Sequence, residues 1–160
     1  MSLPFDPQAG PVSLHALRHS TSHIMADAVL RLFPDAKVAI GPPVDHGFYY
    51  DFELPRPLTE EDLPLIEKEM RKVLSEAGAF TCSTLTRGEA VARLSDSGQA
   101  YKLELLGDIP EEEEITFFDH GTWSDLCEGP HVEDAGQIPV DGFKLTHTAG
   151  AYWRGDADKP

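Results

Sequence analysis

The chain is predicted to be an α+β protein in which an antiparallel sheet packs around a long N-terminal helix, with further helices on the outside. Two patterns carry that expectation. A capped apolar stripe runs from residue 13 to residue 33, and the later strand-like stretches are joined by turns too short for many crossover helices.

In chain order, the Pro- and Gly-rich residues 4–11 read as a loose leader. Ser13 suits the N-cap of a helix to about Phe33. Leu14, Leu17, Ile24, Ala28, Leu30 and Leu32 form its apolar stripe, and Pro34 stops it. Lys37 to Ile40 reads as a short strand, Gly41-Pro42-Pro43 as a turn, and Gly47 to Phe52 as an aromatic strand. Thr59 and Asp62 have the spacing of a capping box for a charged amphipathic helix to about Ala77, closed by Gly78. A strand over 80–86 and short helices over 87–95 and 100–106 follow. Ile115 to Phe118, Trp123 to Leu126, Gly142 to Thr148 and Ala151 to Trp153 complete the set as strands.

Length and composition narrow the classes of function. The 160 residues suit a single domain with its own core. A net charge of −15, from 28 acids against 13 bases, makes the chain a poor nonspecific binder of nucleic acid or anionic membrane. Any polyanionic partner has to be held mainly by something else. Two cysteines, Cys82 and Cys127, are too few for a disulfide scaffold and fit a reducing compartment, so the cytoplasm is the expected location. No apolar run approaches a membrane span, and the Met-Ser-Leu-Pro-Phe-Asp-Pro start lacks the regions of a signal peptide.

Chemistry concentrates in two pairs with the same four-residue spacing: His19 and His23, and Cys127 and His131. On a helix the first pair shares one face, so the two imidazoles can converge on one point. A single histidine is more often a surface or satisfied core residue, and His15, His46, His120 and His147 keep that ordinary reading. For the pairs two uses stay open. Three or four His/Cys ligands suit zinc, with an open position making the centre catalytic; without metal, the same groups serve as bases and donors around a hydrolytic water.

Around the second pair, Asp125 and Cys127 fall on one side of an extended strand, and Gly129-Pro130 turns the chain so that His131 can fold back. Asp125 alone is also compatible with a turn or cap. Lys102, in the otherwise apolar Tyr101-Lys102-Leu103-Glu104-Leu105-Leu106, suits a solvated helix face or, near a pocket, a phosphate or oxyanion.

Five motifs in order make the chain resemble the editing domain of bacterial threonyl-tRNA synthetases. They are His-Ser-Thr-Ser-His at 19–23, Ile-Gly-Pro-Pro with Gly-Phe-Tyr-Tyr-Asp-Phe, Tyr-Lys-Leu-Glu-Leu-Leu, Asp-Leu-Cys-Glu-Gly-Pro-His-Val, and Ala-Tyr-Trp-Arg-Gly-Asp. The resemblance runs from about residue 14 to 156. Alanyl-tRNA editing domains share the two spacings but typically lack the proline before the last histidine.

The resemblance implies post-transfer proofreading: hydrolysis of the ester in seryl-tRNA(Thr), with the serine-charged CCA end of tRNA(Thr) and the rest of the synthetase as partners, and no membrane. Ligase and ATP-binding functions belong to the full-length enzyme. It further implies that His19 positions or activates water, that Lys102 binds the aminoacyl-adenosine end and polarises the ester, and that Asp125 holds the substrate amino group or a second water. His23, Cys127 and His131 complete the pocket. Tyr50 would line the adenosine or serine pocket, with cross-strand packing as its plainer role, and Gly41-Pro42 would wall the amino-acid pocket with backbone.

The expected mechanism is metal-independent, with no cofactor. The alternative is a zinc-binding deacylase of the alanyl-editing type, or a structural metal module, with His19, His23, Cys127 and His131 as ligands. A noncatalytic tRNA-binding module is disfavoured by the charge and the lack of a basic stripe. The expected organisation is a leader at 1–11, partly a cloning remnant, one editing domain at 12–156, and a tail at 157–160. The chain is expected to be an excised domain rather than a free-standing trans-editing protein.

Overall fold

The computed structural model describes residues 13–76, 78–151 and 153. The leader at 1–11, the tail at 157–160, the ends of the 12–156 domain, the helix end at Ala77, and Tyr152 with the Arg154-Gly155-Asp156 motif lie outside the described residues.

Helix α1 spans Leu14–Leu32, and its N-cap Ser13 accepts a hydrogen bond from the Ala16 amide at 3.0 Å. The expected stripe understates its burial: every residue from His19 to Val29 is buried. A helix enclosed on all sides must satisfy its own polar side chains. Thr21 returns its hydroxyl to the Leu17 carbonyl at 2.6 Å, and Ser22 donates to the His19 carbonyl at 2.7 Å.

A bent antiparallel hairpin flanks α1. Strands β1 (Lys37–Val38) and β4 (Phe52–Glu53) pair, as do β2 (Pro43–Val44) and β3 (Gly47–Phe48). The expected aromatic strand 47–52 is therefore broken, and Pro43, expected in a turn, begins β2. Pro42 lacks an amide proton, and the ladder lapses there before resuming at Pro43, which pairs with Phe48. The arms still hold together there through the Ala39 amide to the Asp51 carbonyl and the Asp51 amide to the Ile40 carbonyl.

Helix α2 (Asp62–Glu76) packs along α1. Only half of the expected capping box forms: Asp62 accepts from the Thr59 amide at 2.7 Å, while its own amide bonds the Thr59 carbonyl. Arg56 supplies the rest, clamping both Asp62 oxygens at 2.7 and 2.8 Å and holding that carboxyl well below the usual carboxylate range.

A three-stranded antiparallel sheet, in the order β5-β6-β7, joins Thr81–Leu85, Ile115–His120 and Trp123–Leu126. Helices α3 (Arg87–Asp96) and α4 (Ala100–Asp108) cover it around Ala90, Leu94, Leu106, Ile115, Phe117 and Leu126. α3 begins with a full capping box between Thr86 and Glu89. The architecture is thus α+β and antiparallel throughout, with the strands divided among one larger and two minimal ladders.

The strand expected at Gly142–Thr148 is irregular backbone. Its Leu145 amide donates at 2.8 Å to the carboxylate of Glu67 on α2, not to a neighbouring strand, while Phe143 and Leu145 still pack on the core. Apolar alternation therefore marks burial here without a ladder.

Candidate functional site

Helix α1 delivers His19 and His23 from successive turns, and the chain leaving β7 delivers Cys127 and His131 to the same place. One donor atom from each of the four lies within 4.8 Å of the others. The return rests on Gly129: its φ of +77° suits glycine, and a Cβ would lie 2.8 Å from Phe118 Cζ. Gly129–Pro130 is a cis peptide. His131 then stacks on His19 with ring centroids 4.0 Å apart, and sits 4.2 Å from the His23 ring.

Each imidazole is held by a fixed neighbour. His19 Nδ1 lies 3.1 Å from the Pro130 carbonyl, which can only accept, so Nδ1 carries the proton and Nε2 presents a lone pair. His23 Nε2 donates to Asp125 Oδ2 at 3.3 Å, leaving its buried Nδ1 without a partner among the described residues. His131 Nε2 contacts Cys127 Sγ at 3.1 Å, and its Nδ1 lies 2.9 Å from the Ser20 hydroxyl.

Asp125 is the second focus. It is 2% exposed, and three groups converge on it: Lys102 Nζ at 3.1 Å from Oδ1, with the Tyr50 hydroxyl donating at 2.7 Å and His23 at 3.3 Å, both to Oδ2. Lys102 also reaches the Leu126 carbonyl at 3.4 Å. The helix-face alternative for Lys102 and the turn alternative for Asp125 are thereby excluded, since both are buried and paired. Tyr50 is buried, and its ring explains Gly41: a Cβ there would lie 2.0 Å from Tyr50 Cδ2. Gly41 is tied to α1 by its carbonyl, 3.0 Å from the Ser22 hydroxyl, whose one proton it shares with the His19 carbonyl. Pro42 is exposed.

Burial sets the protonation of the cluster. It lowers His19, and it lowers His23 well below the ordinary value, with His131 and His19 adding to the effect. His131 is pushed down to about 3 by burial and then by its histidine neighbours. Burial, reinforced by Asp125, drives the Cys127 thiol up to about 12 and raises Tyr50 well above its usual range. At neutral pH the cluster is three neutral imidazoles and a protonated thiol beside a buried ion pair.

The four donors suit a metal ion in kind. Tetrahedral zinc, with ligands at about 2.0–2.3 Å, would need donors somewhat closer together than the 4.8 Å limit here, and the thiol would have to lose its proton. His23 Nδ1, without a partner among the described residues, and the unprotonated His19 Nε2 are lone pairs such an ion would use.

Several contributors escape a reading of the sequence. Ser20 and Ser22 lie inside the His-Ser-Thr-Ser-His motif yet act through contacts more distant in sequence. His120, read as ordinary, is 1% exposed, with Nε2 3.1 Å from Asp27 Oδ2. Asp27 continues the four-residue spacing of His19 and His23, a signal that was available. His15, His46 and His147 are exposed. Lys102 and Asp125 also line a cavity of about 440 Å³ with Val38, Arg93, Phe117 and Trp123; none of the four His/Cys residues lines it.

Comparison with known proteins decides the relationship. No family model matches the chain. It is 49% identical over 154 residues, 96% of its length, to the threonine–tRNA ligase of Acetivibrio thermocellus. The chain is related to a segment of the threonine–tRNA ligases. Those of Paracoccus denitrificans and Gloeobacter violaceus are 47% and 48% identical over 92% and 93% of it. The chain spans about a quarter of the length of these ligases, 23–24%. Among the described residues no helix is long and apolar enough to cross a membrane.

Proposed function

We propose that this chain is the proofreading domain of a cytoplasmic threonine–tRNA ligase, hydrolysing the ester of seryl-tRNA(Thr), with residues 12–156 as the domain. The observation that carries the reading is a lone-pair imidazole, His19, joined through His23 to a buried Lys102–Asp125–Tyr50 group in a chain related to these ligases. The need for such a reaction is energetic. A missing methyl distinguishes serine from threonine by only about 1–3 kcal/mol in a binding pocket, so a second site must remove the wrong product.

In the proposed reaction His19 Nε2 accepts a proton from water as the water oxygen bonds to the ester carbonyl carbon. The carbonyl π pair moves to its oxygen, where the Lys102 ammonium stabilises the charge. Collapse breaks the bond to the ribose oxygen, which takes the proton back from His19. Serine and uncharged tRNA leave. Asp125 receives the substrate amino group or a second water, the cavity beside it takes the nucleoside side of the ester, and Gly41 with Tyr50 walls the amino-acid side. The acidic surface suits a domain that receives only the CCA end while the rest of the ligase holds the tRNA.

The preferred route is metal-free, because Cys127 and His131 already satisfy each other and the thiol is protonated. The convergence of four His/Cys donors favours a second reading, in which His19, His23, Cys127 and His131 hold zinc. Bound there, zinc would supply an acidified water. Deacylation of seryl-tRNA(Thr) measured with and without chelator, alongside metal content, separates them: chelator-resistant turnover is expected, and loss restored by zinc would overturn the metal-free route. No turnover by folded protein would overturn the assignment itself.

A further inference from the structure

We propose that Ser20 is a positioning residue that fixes His131 in the Nε2–H tautomer, opposite to that of the stacked His19, so that one ring presents a lone pair and the other an N–H. The inference rests on the hydrolytic reading of this site. Ser20 is fully buried on α1, and its oxygen accepts the Val132 amide at 2.9 Å. The remaining contact is His131 Nδ1 at 2.9 Å. If Nδ1 carried the proton, Ser20 would accept twice and its own hydroxyl proton would have no acceptor among the described residues. Buried hydroxyls are not left so. Ser20 therefore donates to Nδ1, and the His131 proton resides on Nε2, facing Cys127 Sγ at 3.1 Å.

His19 is fixed the other way. The Pro130 carbonyl 3.1 Å from Nδ1 requires a proton there and leaves Nε2 bare. One backbone turn thus enforces both assignments: Pro130 and Val132 flank His131, one holding His19 and the other holding Ser20. Two rings 4.0 Å apart then have different work, His19 receiving the proton of water and His131 holding the Cys127 sulfur with its N–H.

The test is the ring-nitrogen chemical shifts of the chelator-treated, ¹⁵N-histidine-labelled chain at neutral pH, which distinguish the two neutral tautomers. Nδ1–H for His19 and Nε2–H for His131 are expected. The same tautomer on both, or Nδ1–H on His131, overturns the proposal. In Ser20→Ala the His131 signal should lose its Nε2–H bias, and kcat on seryl-tRNA(Thr) should fall about 10–100-fold with little change in KM. An unchanged His131 signal in that variant also overturns it. The spectra involve no substrate, so a wrong tautomer removes this inference alone, whereas absent turnover with the expected tautomers removes the deacylase assignment.

Discussion

The Lys102 ammonium stands 3.1 Å from Asp125 Oδ1, with both side chains almost wholly out of water. Removing one member of such a pair strands the other's charge. Lys102→Met should cost about 3–5 kcal/mol of stability, towards the lower figure because Tyr50 and His23 still bond Asp125. Deacylation should fall about 100-fold or more if the ammonium stabilises the developing oxyanion. Urea unfolding and single-turnover kinetics check the two parts; wild-type values in both would remove Lys102 from the site.

Gly41 and Tyr50 should be energetically coupled. The Tyr50 ring occupies the space a Cβ at position 41 would need, so Gly41→Ala should cost about 1–3 kcal/mol through overpacking. On a Tyr50→Ala background the same change should cost much less. Strict additivity of the two substitutions in a double-mutant cycle would contradict the contact.

Acid should destabilise the fold earlier than carboxylates alone would. His19, His23 and His131 all lie below the ordinary 6.5 when folded, His131 at about 3. As pH falls past 6.5 the unfolded chain binds protons that the folded one refuses, so their contribution is complete above 6.5 and drains away towards 3. The urea midpoint should drop between pH 6.5 and pH 5, above the ordinary carboxylate range. A midpoint that holds or rises there would contradict neutral, buried imidazoles. By the same shift, the acid limb of deacylation assigned to His19 should fall below pH 6.5.

The two cysteines should differ in reactivity. Cys82 is exposed, whereas Cys127 is half-buried with its thiol pushed up to about 12. Since the thiolate is the nucleophile, iodoacetamide at neutral pH should label Cys82 well before Cys127 in the chelated protein. Equal labelling rates, read by peptide mass spectrometry, would mean that Cys127 is a thiolate and that the preferred protonation scheme is wrong.

How far the molecule was legible in its sequence varied with the range of the interaction. α1 was placed almost to the residue, because Ser13 and Pro34 are local signals. The convergence of His19 and His23 followed from helical spacing, and that of Cys127 and His131 from one turn. Asp125 was suspected from its neighbours, but its bonding to Tyr50 and Lys102 depends on α4 and the bent hairpin meeting β7, which no local pattern encodes. Ser20 carries no local signal of its role because its partners, His131 and the Val132 amide, lie beyond Gly129. The 142–148 segment misled because Phe143 and Leu145 are partly buried by packing on the core, while the Glu67 carboxylate, not a strand, takes the Leu145 amide.

The most direct measurement is the deacylation rate of seryl-tRNA(Thr) against threonyl-tRNA(Thr), with the same chain under the same conditions. The predicted result is rapid loss of serine and slow loss of threonine, abolished by His19→Ala in protein that remains folded. Equal rates on the two esters, or rates unaffected by His19→Ala, would contradict a site that proofreads serine through His19.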